Sequence, residues 1–430
     1  MTKGLKTLHI STCDASGGAA RASYRLHRAL LKHGVDSRMR VIQKQTDDVR
    51  VASGVPHRGL LSRTFEKFKQ VRWKHALKEW HTDIPVLHSF GYTGVGLLDE
   101  LNASDADVLN LHWTAEMLSI TDIGRLRKPL VWTMHDMWPF CGAEHYASDD
   151  ALARFRQGYN AINRPRSERG QDLNRIAWES KRKAWLRQRF TLVSPSHWLA
   201  DCARQSFLFA DMAVHVIPNP LDTETLWRPV PGAAARIALG LPMDQKLVLM
   251  SAQGGVADPR KGGAMLHETM VRVKSLYHGG IEILVCGQAC PEQESTWPCP
   301  VHWLGKVTDD RLLVLINAAA DVAVIPSLQD NLPNTAVEAQ ACGIPVAAFA
   351  VGGLRDIVTH RLTGWLAADC DPALLAEGIV WLLKDPVRRA AVSAAARQQA
   401  VERFSEQVVA RQYADLYRQV LYEAGGSAVK

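Results

Sequence analysis

No apolar run in this 430-residue sequence approaches the ~18 to 20 residues that cross a bilayer, which excludes a membrane-spanning helix. The opening residues, MTKGLKTLHIST, hold too short an apolar stretch for a secretory leader, and the expected location is the cytoplasm. Metal-binding cysteine spacing is missing as well. None of the eight cysteines stands in a CxxC pair, and they are scattered through apolar stretches, as suits reduced, buried thiols. Cys286, Cys290 and Cys299 lie close together, but Cys286 reads as a strand residue, so no zinc site is expected among them; no other cofactor is expected.

The formal net charge of +7 admits nucleic acid, an anionic lipid surface or a phosphorylated substrate as partner. A nucleic-acid binder needs a recognition helix, a zinc module or an aromatic and basic strand surface. The sequence offers none, and no nucleic-acid partner is expected. Its basic residues concentrate instead at 58–80, RGLLSRTFEKFKQVRWKHALKEW, where Leu61, Phe65, Phe68, Trp73, Ala76, Leu77 and Trp80 recur at helical spacing. Two readings stay open for this segment: a helix lying on an anionic membrane surface, or a core-facing helix with a solvated basic side. Residues 164–189, ending WESKRKAWLRQRF, carry the same ambiguity.

At 47% hydrophobic and 22% charged residues the chain has the composition of a globular protein, and its length favours two domains. Short apolar runs alternate with helical patterns. Strands are expected at 5–11, 37–42, 108–113, 130–135 and 190–196, then at 246–252, 281–287, 301–305, 322–327 and 345–350. Continuous apolar strands separated by helices imply parallel sheets covered on both faces. The expected organisation is a Rossmann-like N-terminal domain over 1–215, a proline-rich connection at 216–232, a second Rossmann-like domain over 233–403, and a C-terminal helix in 404–430 that could pack back on the first domain. Residues 147–172 read as a long surface loop. Ligands of such sheets bind beyond the carboxyl ends of the strands, which would place two sets of strand ends across one cleft.

Four stretches carry chemistry. Gly17 and Gly18 stand at the turn from the first strand into a helix, where missing side chains let backbone N–H groups approach an anion, although the stretch is not a GxGxxG fingerprint. His135 and Asp136 end a buried strand; His135 is either a hydrogen-bonded core residue or a ligand contact. In SAQGGVADPRKGG, Arg260 and Lys261 stand at the expected start of a helix after a glycine-rich loop, where they either suit a diphosphate or form a solvated surface pair. In SLQDNLPNTAVEAQACGIPVAAF, Pro333 fits the first helical position, so that Asn334 and Thr335 offer N–H groups to a phosphate. Glu338 lies about one turn further along and Asp330 precedes the helix. A nucleotide-sugar has the matching order of groups: ribose hydroxyls, diphosphate, sugar hydroxyls. The pair Asp105 and Asp107 in a DxD precedes its strand and reads as a loop.

The last of these stretches, with GGLRDIV, TGWL, DPRKGG, SPSHWLA and the Gly17–Gly18 loop, resembles the family 4 retaining glycosyltransferases of the GT-B fold, over nearly the whole chain. The resemblance implies two Rossmann-like domains and a metal-independent hexosyl transfer from a UDP- or GDP-sugar to a glycan acceptor, lipid-linked, in surface or exopolysaccharide assembly. Such an enzyme would sit in the cytoplasm, peripheral to the inner face of the membrane. By resemblance Glu338 takes the ribose hydroxyls, Asp330 the donor sugar, and His135 the position of a His close to the transferred sugar. The family usually has Glu where Asp330 stands, and an Arg where Val256 stands, five residues before the Lys; whether Arg260 replaces that cation is left open. Other readings are a nucleotide-sugar epimerase or a soluble-acceptor synthase of the same fold and, remotely, a nucleic-acid-binding protein.

Overall fold

A computed structural model describes residues 4–56, 76–252, 258–290 and 297–427. The chain forms two compact units, Met1–Ile217 with Ala410–Lys430, and Pro218–Val409. In the first unit the strands are β1 (Lys6–Ile10), β2 (Asp36–Arg40), β3 (Val51–Ala52), β4 (Val108–Leu111), β5 (Leu130–Thr133), β6 (Phe190–Ser194) and β7 (Val214–Val216). They pair in parallel in the order β3-β2-β1-β4-β5-β6-β7. The second unit contributes β8 (Lys246–Ser251), β9 (Ile281–Cys286), β10 (Val301–Trp303), β11 (Val322–Ile325), β12 (Val346–Phe349) and β13 (Gly364–Ala367), also parallel, in the order β10-β9-β8-β11-β12-β13. Each order reverses direction once, between β1 and β4 and between β8 and β11, the switch points where doubly wound sheets take ligands.

Burial on both faces explains the unbroken apolar strands. In the second sheet Leu249, Ile325 and Ala348 point into one core layer, while Val248, Val324 and Ala347 point into the other, as a period of two requires. In the first unit Trp132, Phe140, Phe155, Trp185 and Phe209 build a single aromatic core.

All ten expected strands are present. Three more were not foreseen: β3 is only two residues long, β7 straddles the boundary between the first domain and the stretch read as a connection, and β13 begins on a glycine. The stretch 147–172 is not a plain surface loop, because it holds the helix Arg154–Gln157 and buries Phe155 and Tyr159 in the aromatic core. The ambiguity at 164–189 resolves toward the core: the helix Leu173–Ala184 buries Ala177, Trp178 and Lys181, with Trp185 beyond it. Lys181 Nζ donates to the carbonyls of Trp138, Cys141 and Gly142 and lies 3.8 Å from the Trp138 ring centroid. Burial pushes this ammonium down to about 7. Of the other basic segment, residues 58–75 lie outside the described residues.

The last helix, Glu406–Ser427, follows Ser405 and runs through the Gly425–Gly426 pair expected to stop it. Its Tyr413 and Tyr417 are buried in the first unit. Tyr413 Oη lies 3.1 Å from Thr133 Oγ1, and Asn110 Nδ2 donates to Tyr417 Oη at 2.7 Å.

Candidate functional site

In the second unit the switch point joins the loops that leave β8 and β11. Asp258 opens the turn Pro259–Lys261 by accepting the Arg260 N–H at 2.9 Å. Gly262 then takes φ +74, and a Cβ there would stand 1.8 Å from the Pro326 carbonyl oxygen. Only glycine lets the two backbones approach this closely. The Leu328 N–H donates to the Arg260 carbonyl at 2.9 Å, closing the contact. A third loop, after β12, supports the same place: Gly352 has φ +50, its Cβ position falls 2.0 Å from the Asp330 carbonyl oxygen, and the Gly353 N–H donates to that oxygen. Gly352 of GGLRDIV is thus a backbone spacer beneath Asp330.

Docking the loops sets the charges. Lys261 Nζ lies 2.5 Å from Asp330 Oδ2. Arg260 donates to the Gln329 carbonyl at 3.0 Å, and its guanidinium reaches Asp330 Oδ1 at 3.9 Å and Asp258 Oδ2 at 3.4 Å. Burial alone would raise the Asp330 carboxyl, but the adjacent Lys261 and Arg260 charges, with hydrogen bonds from Lys261 and the Asn331 N–H, hold it below its ordinary value. A lowered carboxylate contributes stability that is complete above its unfolded value of 3.8 and is lost as pH falls through the folded one. The urea stability difference between the parent and Asp330→Asn should therefore shrink between neutral pH and about pH 3. An unchanged difference would show that the carboxylate charge does not hold these loops.

The helix Asn334–Ala341 begins beside Asp330. Pro333 occupies its N-cap rather than its first turn, and no side chain caps it. Helix starts leave their first N–H groups outside the intrahelical ladder, an arrangement suited to an anion. Asn334, Thr335 and Glu338 follow, with Asn334 and Glu338 four residues apart and so on one face. Glu338 is buried. Asn219 Nδ2 donates to Asn334 Oδ1 at 3.1 Å, and Arg397 donates to the Ala341 carbonyl at 2.8 Å, so both helix ends are held. Neither residue was among the sequence candidates. Asn219 lay in the presumed connection, and Arg397 in an ordinary amphipathic helix.

The remaining candidates belong to the first unit. Gly17, at φ 95, is the N-cap of the helix Gly18–Lys32 that follows β1. His135 stands just beyond β5, where His112 Nδ1 lies 3.0 Å from His135 Nε2. Asp136 places its hydrogen bonds on other groups. Its Oδ2 accepts from His145 Nδ1 at 2.6 Å and from Trp113 Nε1 at 3.1 Å, and its Oδ1 accepts the Trp138 N–H. His145 Nε2 in turn meets Ser89 Oγ at 2.8 Å. Asp105 pairs with Lys6 and Arg38, and Asp107 accepts the Lys6 backbone N–H. Val256 and the glycines of the loop after β8 lie outside the described residues.

The chain matches the model for "Glycosyltransferase Family 4" over residues 16–225 and that for "Glycosyl transferases group 1" over 234–399. A D-inositol 3-phosphate glycosyltransferase of Xylanimonas cellulosilytica is 34% identical over 223 residues, which cover 48% of this chain and 51% of that protein. An alpha-maltose-1-phosphate synthase of Mycobacterium tuberculosis is 30% identical over 225 residues, covering 48% and 57% respectively. The chain thus spans about half the length of the curated relatives it matches. Among solved structures, a sucrose-phosphate synthase from Thermosynechococcus elongatus superposes with a TM-score of 0.61 at 19% identity, over 97% of this chain and 100% of that one. The Anabaena protein HepE, crystallised with UDP-glucose, does so with a TM-score of 0.62 at 17% identity, over 96% and 100%. Those two likenesses concern the fold. With one family model on each half and two parallel, doubly wound sheets beneath them, the chain belongs to the family 4 glycosyltransferases of the GT-B fold.

Proposed function

We propose that the protein is a retaining, metal-independent hexosyltransferase that takes a sugar from a UDP- or GDP-sugar. The observation that carries this reading is the Lys261–Asp330 pair, held where three loops pack at Gly262 and Gly352, next to the uncapped start of the helix that bears Glu338. An ammonium has three donors, and Asp330 takes one of them. The other two, with the helix N–H groups, would receive the diphosphate as it departs and charge develops on it, an electrostatic contribution made without reorganisation. Glu338 would accept from the ribose hydroxyls, and Asp330 and His135 would meet the sugar. Gly17 and Gly18 would let backbone approach the donor.

For the acceptor we propose a lipid-linked glycan, the reading in which residues 58–80 bring the protein to an anionic surface. A soluble acceptor is the second reading. It is favoured by the names of the relatives, an inositol phosphate glycosyltransferase and a maltose phosphate synthase. Incubating the purified protein with a panel of UDP- and GDP-sugars should release nucleoside diphosphate from at least one, with EDTA leaving the rate unchanged. Loss of the rate in EDTA and its return with manganese would overturn the metal-independent part. Absence of both release and thermal stabilisation across the panel would overturn the whole. Pelleting with anionic vesicles that fades as salt screens the surface over about 10 Å would favour the lipid acceptor, and no pelleting at low salt the soluble one.

A further inference from the structure

Parallel register places an unusual set of side chains on one face of the first sheet. His9 in β1 pairs with Asn110 in β4. His112, two residues beyond Asn110, and His135, two beyond Thr133, keep to that face by the period of two. The three imidazoles form an unbroken chain. His9 Nδ1 lies 2.9 Å from His112 Nε2, and His112 Nδ1 lies 3.0 Å from His135 Nε2. The rings stack at centroid distances of 5.2 and 5.3 Å. His9 and His112 are 0% and 3% exposed, and burial drives both well below the ordinary histidine value, so that at neutral pH they are uncharged.

A neutral imidazole has one N–H and one lone pair, so the chain has two possible polarities. If protons point from His135 toward His9, then His9 carries an N–H on Nε2. That atom is buried and has no hydrogen-bond partner among the described residues. If they point from His9 toward His135, the same atom is a bare lone pair. The second polarity leaves no buried N–H without an acceptor at His9.

We propose that His9 and His112 are positioning residues that hold His135 with its proton on Nδ1 and its Nε2 lone pair occupied, making it a hydrogen-bond donor rather than a base. This rests on the proposed role of His135 beside the transferred sugar and adds what that role is: Nδ1–H donates to a sugar oxygen. Such a donor would orient the sugar while the diphosphate departs, and His135 would take up no proton in the step. His112 matters because its Nδ1–H is what occupies His135 Nε2, as the bond at one ring nitrogen dictates the state of the other.

The test uses the full-length protein labelled with nitrogen-15 in histidine. Long-range proton–nitrogen spectra should show His135 with a pyrrole-type Nδ1 and a pyridine-type Nε2. His112→Leu removes the donor, whereas His112→Asn keeps an N–H close to the place of Nδ1. The Leu variant should lose the single tautomer at His135 and fall at least about tenfold in kcat with little change in donor KM, and the Asn variant should recover to within about threefold of the parent. A parent His135 protonated on Nε2 overturns the proposal. So does a folded Leu variant with parental tautomer and rate. Should the Leu variant fail to fold, the parent spectrum and the Asn variant decide. Full activity in His135→Phe would remove His135 from the sugar site, a separate failure that leaves the tautomer result standing.

Discussion

Lys261→Met should lower turnover with the nucleotide-sugar by roughly a hundredfold or more, the scale on which removing a preorganised charge from a leaving group acts. It should also destabilise the second unit by about 3–5 kcal/mol, because Asp330 would remain buried without its ion partner. Two comparisons separate these effects. Lys261→Met with Asp330→Leu removes both charges and should regain most of the stability while staying inactive. Arg260→Met, which gives up the bond to the Gln329 carbonyl and the 3.9 Å approach to Asp330, should cost turnover about tenfold if Arg260 supplies the cation that the family places at Val256. Urea unfolding and steady-state kinetics on the four proteins provide the measurement. A double variant that regains activity along with stability would make Lys261 a structural partner of Asp330 and no part of the diphosphate site.

Glu338→Ala should cost about 2–4 kcal/mol of transition-state binding, the loss expected for two charge-assisted hydrogen bonds to ribose hydroxyls. That corresponds to a fall in kcat/KM of roughly 30- to 1000-fold. Because Glu338 is buried in a helix held at both ends by Asn219 and Arg397, the Glu338→Gln variant is the cleaner probe. It keeps volume and helix and removes only the charge. Both variants should lose most of the thermal stabilisation that the nucleoside diphosphate confers on the parent. A well-folded Ala variant with near-normal kcat/KM would move the ribose elsewhere.

Much of this arrangement was legible in the residues. The ten apolar runs located ten strands because strands buried on both faces advertise themselves without reference to their neighbours. The strands that escaped notice, Val51–Ala52, Val214–Val216 and Gly364–Ala367, are short and mixed in composition, and their pairing comes from the sheets they join. The motif around Asp330 and Glu338 could be read because a helix start and its flanking acids are local in sequence. Amphipathic helices were ambiguous for the opposite reason. The period of 164–189 names an apolar face but not what covers it, and only the aromatic core around Trp178 and Trp185 decided that.

What tertiary structure alone decided is which charged and polar groups meet. Lys261 and Asp330 are 69 positions apart and touch because β8 and β11 are neighbours and Gly262 lets their loops close. His9 comes from β1, and His112 and His135 from just beyond β4 and β5, while Asn110 and Thr133 find Tyr417 and Tyr413 near the far end of the chain. Sequence period reports the face on which a side chain lies. It carries no record of the partner across the sheet, because strand order and register depend on how the crossovers pack, and it is the crossovers that brought a set of separated histidines and loop charges together.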